Sequence, residues 1–379
     1  MSRLFAASSI NGMQLNNRFV RAATWEGLAT PKGAVTPKLI EMMVALARGS
    51  VGLIISSHAY VSPEGQGTPW QLGVYTDELV SRFQEMTGAV HDNGGKIILQ
   101  LAHAGQYAEE ELTGLPVLAV SEPGDCAGKN VKVLSGEDMQ RLVACYARAA
   151  KRAKDAGFDG VEIHAAHGYL LSQFLSPAYN RRQDGYGGAI ENRTRIHLEI
   201  YHAVREVVGK DFPLFVKMNC SDFIDNGLTI DDSLRAASLF ADAGFDAIEV
   251  SGGIIRTGKL APSRPGINSI DKEAYFKDFA HRFKEEIDTP LILVGGVRSF
   301  EVAEAIITGG IADYISMSRP LIREPALIQR WKNGDLRKAE CKSDNLCFNP
   351  GFTGKGITCV TREIEEKNIS GQPAASQFS

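Results

Sequence analysis

One eight-residue pattern recurs along the chain and limits the fold it can adopt. Ala156-Gly-Phe-Asp-Gly-Val-Glu-Ile163 returns as Ala243-Gly-Phe-Asp-Ala-Ile-Glu-Val250, and more loosely as Gly310-Ile-Ala-Asp-Tyr-Ile-Ser-Met317. Each copy reads as a glycine-ended helix, a tight turn and the entry to a buried strand. The helices feeding the first two copies carry start signals. Ser135 with Asp138 three residues on is a capping box, and Thr229-x-x-Asp232 repeats it. Beyond Ser135, the residues Met139, Leu142, Val143, Tyr146, Ala149, Ala150 and Ala153 fall on one helical face. Candidate strands at residues 18–22, 51–57, 96–101, 214–218 and 291–295 complete a set of eight, alternating with helical patterns. This alternation predicts an α/β fold, a closed parallel (β/α)8 TIM barrel. No Gly-x-Gly-x-x-Gly fingerprint follows any of these strands, which weakens the doubly wound alternative. We place the barrel at residues 1–335 and a short C-terminal extension at 336–379, with a polar end from Glu363 that reads as disordered.

Composition narrows the function classes. Apolar residues make up 44% and charged residues 23% of the 379, so a large core is available. A net charge of −4 argues against nucleic acid or an anionic membrane as the main partner. The apolar runs are far too short to span a bilayer, and the first 21 residues lack a signal-peptide core. These features predict a cytoplasmic protein acting on a small molecule, with homo-oligomerisation left open. The six cysteines, Cys126, Cys145, Cys220, Cys341, Cys347 and Cys359, read as reduced thiols or metal ligands.

A barrel gathers its strand C-terminal ends on one face. Here that brings together residues 22–25, 57–58, 100–103, 164–169, 217, 251–253, 295–296 and 318–319. His164, His167 and Tyr169 stand where a strand gives way to a loop, and their side chains can donate hydrogen bonds to a substrate oxygen or give up a proton. Gly295 and Gly296 end the seventh strand before a helix starting near Ser299, and Ser318-Arg319 follows the eighth. Backbone N–H groups, a helix dipole and a guanidinium in this corner suit a phosphate. Residues 130–134 and 254–270 read as loops that shape the pocket.

Four motifs go further: Asn17-Arg18-Phe19-Val20, Gln100-Leu-Ala-His-Ala-Gly105, His164-Ala-Ala-His-Gly-Tyr-Leu-Leu-Ser-Gln-Phe-Leu-Ser-Pro177 and Tyr186-Gly-Gly-x-x-Glu-Asn-Arg193. On these the chain resembles the old yellow enzyme family of FMN-dependent reductases. It is most similar to the branch with bacterial ene-reductases, 2,4-dienoyl-CoA reductase and trimethylamine dehydrogenase. The resemblance implies a ping-pong NAD(P)H oxidoreductase, using NADH or NADPH, that reduces the activated C=C bond of an α,β-unsaturated carbonyl compound. It implies flavin contacts from Ala22, Ala23, Thr24, Ser57, His58 and Gln100, and an FMN phosphate held by Gly295, Gly296, Ser318 and Arg319. His164 and His167 would grip the substrate carbonyl and Tyr169 would donate the proton.

Three positions depart from the family pattern. Lys217 stands where an Arg commonly faces flavin N1 and O2. It keeps the charge but loses the planar fork. Trp25 replaces a Cys or Thr and is expected to border the substrate. Glu26 reads either as an active-site carboxylate or as a helix-start or loop carboxylate. The extension departs as well. Multi-domain relatives hold a four-iron, four-sulfur cluster on a Cys-x2-Cys-x2-Cys-x11-Cys pattern, whereas this chain has Cys341, Asp344, Cys347 and Cys359 at those places. A carboxylate suits soft cluster iron poorly, so the expectation is a remnant that activity does not require. Two other classes account for parts of this pattern. One is a non-redox phosphate-binding lyase or isomerase barrel, and the other an electron-transferring subunit carrying a cluster.

Overall fold

Every predicted barrel strand is present in the computed structural model, which describes residues 2–122, 130–255 and 257–369. The strands are β1 (Phe19–Arg21), β2 (Leu53–Tyr60), β3 (Ile97–Ala102), β4 (Val161–Ala165), β5 (Leu214–Asn219), β6 (Ala247–Ser251), β7 (Leu291–Val294) and β8 (Tyr314–Met317). Each pairs in parallel with the next, and β8 returns to β1, closing the barrel. The helices α1 (Pro37–Arg48), α2 (Val80–Asp92), α3 (Gly136–Asp155), α4 (Arg195–Val208), α5 (Ile230–Ala243), α6 (Lys277–Glu286), α7 (Phe300–Thr308) and α8 (Leu327–Lys332) cross between strands or follow the last one. The two predicted caps form. Ser135 and Asp138 make the reciprocal capping box of α3, and Thr229 accepts the Asp232 amide at the start of α5.

The sequence repeat has a physical cause. Its glycines Gly157, Gly244 and Gly310 sit at φ +80°, +100° and +68°, where a side chain is strained. Its aspartates clamp neighbouring strands. Asp159 Oδ2 accepts the Ile97 amide at 2.9 Å, and Asp246 Oδ2 and Asp313 Oδ2 accept the amides of Leu214 and Leu291 at 2.8 Å. Each aspartate amide returns a bond of 2.9 Å to the carbonyl of the same residue. So β3–β4, β5–β6 and β7–β8 are pinned in register by one residue type at one place.

Register decides which side chains face inward, because alternate residues of a strand share a face. Val20, Ile55, Ile98, Phe215, Ala247, Ile292 and Tyr314 form an apolar layer inside the barrel. A hairpin of Ser8–Ile10 and Met13–Leu15, turned at Asn11 (φ 43°) and Gly12 (φ 79°), adds Ile10, Met13 and Leu15 to that layer. Two residues further along the strands, the layer turns polar, with Gln100, Glu162, Lys217, Glu249 and Ser316, all buried. The outer strand faces pack on the helices, and Trp331 of α8 lies 5.6 Å from Phe19 and 5.9 Å from Phe300.

Two expectations about irregular segments need correction. Residues 130–134 contain Val131–Val133, which pairs in parallel with Val117–Ala119. The stretch from Glu363 is helical to Ile369, within Val360–Ile369. An ion pair from the buried Arg323 to Glu365 at 2.5 Å anchors this helix, which polarity alone did not suggest. The end of the predicted polar tail, residues 370–379, and Cys126 lie outside the described residues.

Replacing Asp246 by Ala leaves the Leu214 amide and Arg205 without their partner. The expected loss is about 1–3 kcal/mol, the penalty for an unsatisfied buried donor. Denaturant unfolding of Asp246→Ala against the parent chain measures it, and a change below about 0.5 kcal/mol, the scale of an ordinary surface substitution, contradicts the clamp.

Candidate active site

At the C-terminal ends of the strands the barrel opens into a cavity of about 410 Å³. Its walls include Ala22, Ala23, Thr24, Trp25, His58, Gln100, His164, His167, Tyr169, Lys217, Gly295, Gly296, Ser318 and Arg319. These are all the candidate cofactor and substrate residues except Ser57. The exception has a structural reason. Ile55 pairs with Ile98 but His58 pairs with Gln100, so β2 carries one extra residue, a bulge, between them. The bulge shifts the alternation, and His58 takes the inward place that Ser57 would otherwise hold.

One end of the cavity is a cluster of imidazoles around a phenol. His164 lies 5.2 Å from His167 and 5.0 Å from Tyr169 between ring centroids. His167 adopts a left-handed backbone (φ 63°), its amide held by Asn219 Oδ1 at 3.1 Å and its Nε2 2.7 Å from Ser251 Oγ. The Tyr169 hydroxyl is 3.2 Å from His58 Nε2. Burial lowers all three histidines, His58 to about 4 with help from Lys217 and Arg21. His164 and His167 lie well below the usual range, through burial and then neighbouring His167 and Lys217 respectively. At neutral pH they are therefore uncharged hydrogen-bonding groups. Burial raises the Tyr169 phenol, which stays protonated. His164 Nδ1 is buried without a partner, as expected of a group awaiting a ligand.

The other end is built for an anion. Gly295 (φ 137°) and Gly296 (φ 78°) lie against Phe276 and Tyr275, and a Cβ at either would come within 2.9 and 2.7 Å of those rings. Only glycine allows this close, exposed backbone. Thr24 Oγ1 and Ser318 Oγ are 2.7 Å apart, and the Arg319 guanidinium donates to Asn345 Oδ1 at 2.7 Å. Just before α7, Glu273 accepts the amides of Arg298 and Ser299 at 2.7 and 2.9 Å and so holds the turn that leads from the two glycines into the helix.

Several groups escaped sequence reasoning. Ser343, Asn345 and Phe348 of the extension line the cavity, as do Arg298 and Tyr275. Asn345 holds a left-handed backbone (φ 64°) and is pinned by Ser263, whose carbonyl accepts from Nδ2 at 2.9 Å. No local pattern marks such a long-range partner. Phe352 lies 4.5 Å from Trp25, whose indole N–H donates to the Pro69 carbonyl at 3.1 Å, so the extension fixes this wall. Glu26 is not in the cavity: it pairs with Arg21 at 2.5 Å, both buried. Lys217 is paired too, 2.8 Å from Glu249.

The cysteine-bearing segment has internal partners of its own. Asp344 accepts the Leu346 amide at 3.1 Å, and Arg323 Nη1 approaches Cys359 Sγ at 3.6 Å. Burial and the neighbouring Cys341 push the Cys347 thiol up to about 12. Cys145, Cys220, Cys341, Cys347 and Cys359 are free thiols. Among the described residues no helix is long and apolar enough to cross a membrane.

Known proteins share this architecture. A NADH oxidase of Thermoanaerobacter brockii is 36% identical over 371 residues, 95% of this chain and 56% of that protein. A NADPH dehydrogenase of Bacillus subtilis (strain 168) is 37% identical over 324 residues, 85% of this chain and 92% of that one. The solved old yellow enzyme homologue from Zymomonas mobilis matches with a TM-score of 0.75 and 29% identity, covering 92% of this chain and 98% of its own. Morphinone reductase matches with a TM-score of 0.75 and 28% identity over 89% and 91%. The chain spans about half of the first two curated relatives, 56% of the NADH oxidase and 53% of a metal reductase of Desulforamulus reducens. FMN fits the residues present: a glycine cradle with Arg319 for its phosphate, Gln100 and Lys217 at the cavity floor, and an unpartnered His164 Nδ1 toward a ligand. With residues 3–337 matching the model of the NADH:flavin oxidoreductase / NADH oxidase family, the chain belongs to that family, the old yellow enzyme type of FMN-dependent NAD(P)H oxidoreductases.

Proposed function

We propose that this protein reduces the activated C=C bond of α,β-unsaturated carbonyl compounds at the expense of NADH or NADPH. The observation that carries this reading is the cluster of neutral imidazoles and a protonated phenol in the same cavity as the anion end. FMN, when bound, supplies the hydride acceptor and donor. Gly295, Gly296, Ser318 and Arg319 would hold its phosphate, and Ala22, Ala23, Thr24 and Gln100 would border its ring. His164 and His167 bind the substrate carbonyl oxygen and stabilise the negative charge that develops there. Being uncharged, they do so without becoming buried cations that would hold the anion too tightly. Tyr169 delivers its hydroxyl proton to the α-carbon, and His58 Nε2 at 3.2 Å orients that hydroxyl. Trp25, held by Phe352, forms the apolar side of the substrate space.

Arg319→Ala should weaken FMN retention by about 2–3 kcal/mol, the range of a charge-assisted contact. Equilibrium dialysis of the flavin checks this, and unchanged flavin affinity counts against the phosphate assignment. Tyr169→Phe should bind FMN and accept hydride from NAD(P)H normally. Its reoxidation by an enone should slow by about 10²–10⁴, the share of a positioned general acid. Stopped-flow absorbance separates the two half-reactions, and an unaffected oxidative half excludes Tyr169 as the acid.

We further propose that turnover needs no iron–sulfur cluster, since Asp344 has replaced a thiolate and accepts hydrogen bonds within the segment. Iron and sulfide assays on protein purified without oxygen should find less than one iron per chain. Three or four irons, lost together with turnover in Cys347→Ala, would favour the electron-transfer alternative.

A further inference from the structure

The floor of the cavity holds an unexplained group of charges. Glu162 and Glu249 are fully buried in the barrel interior with one ammonium between the strands that carry them. Lys217 Nζ lies 2.8 Å from Glu249 Oε2, Ser316 Oγ donates to Glu249 Oε1 at 2.6 Å, and Gln100 Nε2 donates to Glu162 Oε2 at 2.6 Å. Glu162 Oε1 is left without a donor, and Glu249 Oε2 has the Lys217 ammonium alone. Two ionised carboxylates beside one ammonium would bury an uncompensated negative charge, which the interior penalises heavily. One proton between these two oxygens removes the excess charge and gives Glu162 Oε1 its missing bond.

We propose that Glu162 and Glu249 share a single proton, and that this dyad keeps the Lys217 charge cancelled beneath the ring end of the cofactor site. Burial, and then the charge of the adjacent Glu249, hold the Glu162 carboxyl well above its usual range. The other groups that face the layer do not supply the missing charge. His58, His164 and His167 are neutral, and Arg21 is matched by Glu26. Gln100 is committed through its Nε2 to Glu162, so its amide oxygen is the atom left for a ligand. The departure at Lys217 then has a further meaning. An Arg would bring several donors to both Glu249 and a cofactor. A Lys paired to Glu249 offers little net charge to the cavity unless Glu249 loses its own. The floor is therefore a charge-setting device with positioning residues below and cofactor-touching residues above. This inference rests on reading the cavity as the flavin site.

Infrared spectroscopy of the flavin-free and flavin-loaded chain near neutral pH should show the C=O band of an un-ionised carboxylic acid, lost in Glu162→Gln. Absence of that band from the parent chain, or its survival in Glu162→Gln, overturns the shared proton without reference to FMN. If Glu162→Gln does not fold, ¹³C-glutamate labelling and NMR titration of the parent chain read the same proton. The second arm uses sulfite, an anion that adds to an oxidised flavin and bleaches its visible absorbance. Replacing both carboxyls, Glu162→Gln together with Glu249→Gln, should tighten sulfite binding about tenfold or more, as expected of one charge uncovered close to the ring. Adding Lys217→Met should cancel the gain. Sulfite affinity unchanged in the double variant Glu162→Gln, Glu249→Gln overturns the charge-setting role. A chain that binds no FMN fails the flavin reading instead, and leaves the infrared result standing.

Discussion

A carboxylate bonded to the first amide of the neighbouring strand, three times around the barrel, fixes the register on which this molecule depends. Asp159, Asp246 and Asp313 each exchange two hydrogen bonds with the strand before them. In a closed parallel sheet a slip of one residue turns every inward side chain outward. With the register held, Phe215, Lys217 and Asn219 all point inward on β5, and Ala247, Glu249 and Ser251 do so on β6. The apolar layer, the polar floor and the cavity wall are successive steps of one alternation.

The polar floor is the costly part of that arrangement. Barrel interiors are mostly filled by branched apolar side chains, yet here Glu162, Lys217 and Glu249 occupy a full layer. Every polar atom buried there needs a partner, so these residues must organise one another, and through Gln100 and Lys217 they organise what lies above. The imidazole–phenol end works the opposite way. Burial without a charge partner keeps His164 and His167 neutral and Tyr169 protonated, the protonation states that the proposed reaction requires.

The extension belongs to the site and is more than an appendage to it. Asn345 orients Arg319, and Phe352 backs Trp25. The segment that carries Cys341, Asp344 and Cys347 is thus held in place by contacts to the cavity wall. Those contacts are reason enough for it to stay folded.

The sequence by itself determined the barrel, because period, glycine-ended helices and the repeated Asp are local signals that each strand carries within its own few residues. It also marked His164, His167, Tyr169, Gln100, Lys217 and the Gly295–Arg319 corner, since residues at strand ends must converge once the barrel closes. Only the tertiary structure decided that His58 and not Ser57 faces inward, because the bulge is a property of the β2–β3 pairing. The same holds for Glu273 holding the turn before α7, Glu26 pairing with Arg21 and Asn345 reaching Arg319. Each depends on partners distant in the fold or on which of several loop conformations satisfies a buried group, and neither is written in a neighbouring residue. The polarity that made the segment after Glu363 look disordered gave no sign of its long-range partners, Glu365 with Arg323 and Lys342, and Arg362 with the Arg323 carbonyl.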